Sequence, residues 1–171
     1  MTLALRVLVL CLAISLPLAA HGDLHERIAA LTKQIDLSPT NAELYLKRGE
    51  LHRAHRDWKV ALADYDRAAQ LRPDLDVVDL LRGLTFLASG APEAAIPALD
   101  RFLKRQPEHA EARVARARTL VKLGRHLAGA EDFTRALAQM TAPKPEYYLE
   151  RAQALVTLGD TRIDEALRGL D

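Results

Sequence analysis

One cysteine, Cys11, is all the chain has, so no disulfide can form within it. Aromatic residues are scarce at 5%, while the 49% apolar content is carried chiefly by alanine and leucine, which suits closely packed helices better than a sandwich or barrel. Neither sign of charge is in excess: 24 basic and 23 acidic residues leave a formal charge of +1. Neither is gathered into a long run, so the basic face that a nucleic-acid binder needs is missing and no nucleic-acid partner is expected. Serine hydroxyls are confined to Ser15, Ser38 and Ser89, none in a nucleophile motif, and no glycine-rich phosphate loop occurs. No residue set is equipped for catalysis, so neither an enzyme nor a cofactor is expected.

Residues 1–20 differ from the rest. Arg6 is their one charge, and an apolar run from Val7 to Leu16 follows, broken at Pro17 and ending in small residues. This is the pattern of a secretory signal peptide, with cleavage after Ala20 or Gly22. The apolar run falls short of the roughly twenty residues needed to span a bilayer. The chain is therefore expected to be secreted or periplasmic, with no stable membrane insertion once the signal is removed. The alternative is an uncleaved N-terminal anchor. Removal takes away one arginine and no acid, leaving basic and acidic residues equal in number, with little pull on polyanions or membranes.

A period of 34 organises the remainder. Gly49 leads to Gly83 and Ala117; Ala61 to Ala95 and Gly129; Tyr65 to Leu99 and Phe133; Pro39 to Pro73 and Pro107. Self-similarity at this spacing means stacked helix–turn–helix units. A capping helix is expected over 23–39, because Leu24, Ile28, Leu31 and Ile35 share one helical face. Full repeats follow over 40–73, 74–107 and 108–141, and a partial or irregular repeat over 144–171, after a one-residue insertion near Ala142–Pro145. Thr40 and Glu43 fit a capping box opening the first repeat. Gly49 and Ala61 permit close helix approach, with Tyr65 filling the space toward the next unit. Pro97, about six residues into its helix, is expected to bend it. The apolar Ala166, Leu167 and Leu170 leave the last helix without a polar cap, so either the chain is a fragment or that end docks on another chain.

These residues resemble the tetratricopeptide repeat family. Arg48-Gly49 and Arg82-Gly83 stand where that family has Leu-Gly, and Ala61, Tyr65, Ala68 and Pro73 match its other sites. Tyr45 replaces its usual Trp, His52 its usual Tyr, and Asp79 and Arg113 hold the Trp site in later repeats. The resemblance implies an all-α, right-handed superhelical solenoid of antiparallel helix pairs, whose inner helices line a concave groove for a peptide or partner protein. Carried over to this chain, that groove takes Leu46, Glu50 and Arg53 from the first repeat and Leu80, Leu84 and Leu87 from the second. Val114, Arg118 and Val121 come from the third, and Gln153 from the fourth. Its middle is apolar and its borders charged. The Lys and Asn with which some members clamp a terminal carboxylate are replaced by Leu46, Glu50 and Leu80, so a free C-terminus is not the expected ligand. The function implied is an exported protein-interaction scaffold.

Histidines raise a second possibility. His21, Asp23 and His25 lie near the mature start; with cleavage after Ala20, the new amine and the His21 imidazole could hold Cu(II), giving a periplasmic copper-binding or delivery protein. His52 and His55 share one helix end, but no cysteine or third histidine accompanies them at ligand spacing, so a packing His52 and a solvated His55 are expected.

Overall fold

The computed structural model describes residues 23–159, and all of their regular structure is helical. The expected signal segment, His21 and the tail from 160 lie outside the described residues. Two compact units divide the chain, the first ending at Arg72 and the second beginning at Pro73.

In the first unit, α1 (23–37) buries Ile35 and half-buries Leu24, Ile28 and Leu31, the stripe its spacing defines. α2 (Ala42–Ala54) and α3 (Trp58–Leu71) pack on each other as a hairpin. Asn41, not Thr40, caps α2: its backbone is extended, and its side chain accepts from the Glu43 N–H at 3.1 Å. Tyr65 also departs from expectation. Its ring lies against Gly49 inside its own helix pair, where a Cβ on the glycine would come within 2.6 Å of the ring.

The second unit runs α4 (Val77–Ala88), α5 (Pro92–Arg105), α6 (Ala110–Lys122), α7 (His126–Gln139) and α8 (Pro145–Val156). Each helix packs on the next, and α4 also touches α6. Leu99 seats against Gly83, and Val121 against Gly129, as Tyr65 does against Gly49. α5 passes uninterrupted through Pro97; the bond that proline forgoes, to Glu93 near the helix start, belongs to an exposed residue.

One device recurs in both units. Arg56, Gly90, Gly124 and Gly159 each follow an inner helix with positive φ, at 67°, 80°, 72° and 103°. A left-handed residue there turns the chain back so that the outer helix can pack antiparallel.

The residues that depart from the family pattern form ion pairs across each hairpin. Arg48 binds Asp64 through Nη2 at 2.7 Å and Nε at 2.9 Å, and Arg116 binds Asp132 at 2.7 and 2.8 Å, both sixteen residues apart. Asp79, buried at a Trp site, is held by Arg101 at 2.9 Å and by Arg105. Arg113, buried at the next Trp site, donates to the Pro107 carbonyl and to Gln139. Polar clamps replace an aromatic wedge.

Candidate functional site

The inner helices of the second unit bring a column of side chains together. On α4, Leu80, Leu84 and Leu87 follow at helical spacing and are half-buried against the Ala95–Leu99–Ala115 core. On α6, Arg118 is exposed and Val121 half-buried, while on α8 Leu149, Gln153 and Val156 are exposed. A cavity of about 460 Å³ opens among them, lined by Leu87 of α4, Arg118, Val121 and Lys122 of α6, and Glu150, Gln153, Ala154 and Thr157 of α8 and its C-terminal end. His126 and Phe133 of α7 complete it. Its size lies within the range of pockets that enclose a ligand group.

Val121 owes its place to Gly129. A Cβ at that position would come within 2.7 Å of Val121 Cγ2, so the glycine lets α7 press the valine toward the cavity. Phe133, almost wholly buried with Val114 and Ala117, makes the lining rigid. One rim is charged but internally paired: Arg118 grips Glu150 with Nε and Nη2, both at 2.7 Å, and lies 5.4 Å from the Tyr147 ring centroid. The Glu150 hydrogen bonds raise the Arg118 guanidinium further above its ordinary value despite partial burial.

Four of the expected groove residues, Leu87, Arg118, Val121 and Gln153, thus border one cavity. Leu46 and Val114 do not reach a surface; both are buried, at 6% and 2% exposure, because an inner helix flanked by neighbours encloses that side. In the first unit Glu50 instead borders a cleft of about 330 Å³ with Arg27, Leu31 and Lys47, between α1 and α2. Arg53 is half-buried, and its Nε has no hydrogen-bond partner among the described residues. Lys122, His126 and Glu150 went unnoticed in the sequence because Lys122 and Glu150 each stand one residue past a groove-column position, Val121 and Leu149, and His126 lies on the outer helix α7.

The histidines are tied to a carboxylate. Asp57 Oδ2 accepts from Nδ1 of His55 at 2.9 Å and of His52 at 3.3 Å, so His55 is not simply solvated. These bonds, His55 first, hold the Asp57 carboxyl below its usual range. His25 stands edge-on to His55 with ring centroids 4.6 Å apart. Among the described residues no three His, Cys, Asp or Glu side chains converge where they could share a metal ion, and no helix is long and apolar enough to cross a membrane.

Helical hairpins in series, with small residues at the crossings and left-handed turns, define a helix-pair repeat architecture. The tetratricopeptide repeat family model matches residues 80–148 of the chain. Human tetratricopeptide repeat protein 13 is 32% identical over 95 residues, 56% of this chain, which spans 11% of that protein's length. Among solved structures, MamA from Desulfovibrio magneticus RS-1 superposes with a TM-score of 0.78 at 17% identity, covering 92% of this chain and 87% of that one. YrrB, described as a TPR protein with an unusual peptide-binding site, gives 0.71 at 18%, covering 90% and 78%.

Proposed function

We propose that the chain is an exported interaction scaffold, without catalytic activity of its own, and that the second unit's inner face receives a segment of a partner protein. The observation that carries this reading is the cavity between α4, α6 and α8. Its floor of Leu87, Val121 and Ala154 is apolar, its walls are fixed by the Val121–Gly129 and Phe133 packing, and Leu149 and Val156 extend apolar surface beyond it. An open apolar strip with a charged border fits a peptide or helix laid across it. The match of residues 80–148 to the tetratricopeptide repeat family model and the peptide-binding site named for YrrB support the same kind of ligand. Export rests on the sequence of residues 1–20.

Site-directed photocrosslinking tests the groove. A crosslinking side chain at Gln153, inside it, should capture one partner that the same group at exposed Glu93 on α5 does not. Equal capture from both positions would remove the groove from the account.

A further inference from the structure

Lys122 and His126 are the groups at this cavity that the interactions of the described residues leave unused. Arg118 and Glu150 satisfy each other and offer a partner no net charge. Lys122 is exposed, one turn along α6 from Arg118, with no carboxylate of the described residues in ion-pair reach. His126, at the start of α7, is half-buried, and its Nδ1 is sealed from solvent without a hydrogen-bond partner among the described residues. With Nδ1 sealed, Nε2 is the imidazole nitrogen left to meet a ligand. An ammonium and an imidazole nitrogen therefore stand beside an apolar floor.

We infer that the cavity selects an acidic segment: a bulky apolar side chain over Leu87, Val121 and Ala154, with an adjacent Asp or Glu whose carboxylate pairs with Lys122 Nζ and accepts from His126 Nε2. This rests on the groove reading above and gives it a chemical preference. A neutral segment fills the floor and gains nothing at Lys122. A basic one meets like charge, which is how an interface rejects the wrong partner. A carboxylate satisfies both groups at once, through charge-assisted bonds.

The test is selection of a random dodecapeptide library, made as C-terminal amides so that side chains are the only carboxylates, on the full chain. Affinities of the selected peptides follow by fluorescence anisotropy for the wild type, Lys122→Glu and Gln153→Trp, with circular dichroism confirming the fold. Both substituted residues are exposed. The selected peptides should pair an apolar residue with Asp or Glu within about one helical turn. They should bind Lys122→Glu about tenfold more weakly, the lost attraction and new repulsion together. Replacing their acid by Asn or Gln should lose a similar factor on the wild type. Peptides without an acid, or a loss below about twofold in Lys122→Glu, overturn the acidic preference even if Gln153→Trp abolishes binding. Binding untouched by Gln153→Trp, or no peptide selected, removes the groove reading itself and the preference with it.

Discussion

Tyr65 sits on Gly49 so closely that a Cβ there would lie 2.6 Å from ring carbon Cε1 and 3.2 Å from the Ala61 carbonyl oxygen. The ring is fully buried and cannot swing away, so the glycine sets the distance between α2 and α3. Gly49→Ala sets overpacking of about 1–3 kcal/mol against about 1 kcal/mol of helix propensity gained. A net loss of up to about 2 kcal/mol is expected in urea denaturation. A stabilised variant would show that the contact is loose.

Arg56 tells the opposite story. Its φ of 67° is the conformation that Gly90 and Gly124 adopt one and two periods later, and a side chain there is strained. Arg56→Gly should stabilise the chain by about 0.5–1 kcal/mol, while Gly90→Ala should cost a similar amount. Melting temperatures moving in the reverse directions would contradict this account of the turns.

Arg116 is shared between two acids in different surroundings. Asp132 is 6% exposed at its side chain and Asp100 49%. Removing Asp132 leaves a half-buried guanidinium without its principal partner, and Asp132→Ala should cost about 3 kcal/mol. Asp100→Ala should cost less than about 1 kcal/mol, as exposed pairs do. Equal losses in chemical denaturation would refute the ranking.

Acid should weaken the second unit through Asp79. Burial pushes its carboxyl up, but hydrogen bonds from Arg101 and Arg105 outweigh this and hold it below the ordinary 3.8. The folded state then binds fewer protons there than the unfolded chain. Asp79's contribution is present above 3.8 and is lost as pH falls through that value to the lower folded one. Urea midpoints measured from about pH 5 down to 3 should fall less steeply in Asp79→Asn than in the wild type. Parallel slopes would mean the carboxylate is not so engaged.

The repeats were legible because the requirement that writes them is strict. Small residues must recur wherever two helices cross, and Gly49, Gly83 and Ala117 do so on a fixed period, as do Ala61, Ala95 and Gly129. The family comparison also supplied the groove column, yet exposure along it depends on how neighbouring helices close over each position. Leu46 and Val114 therefore disappear into the interior while Gln153 remains open. Least legible were the polar clamps. Asp79 and Arg113 read as defects at an aromatic site, because their partners lie a helix away and only the folded hairpin brings them together.

The central claim is that the second unit's inner face is where a partner lies. Methyl and amide NMR shifts of the full chain, titrated with a captured partner segment, test it most directly. The account expects the largest shifts at Leu87, Val121, Gln153 and Ala154, with Ile96 on α5 and Leu137 on α7 little changed. Shifts concentrated on the outer helices, with the cavity residues silent, would contradict it.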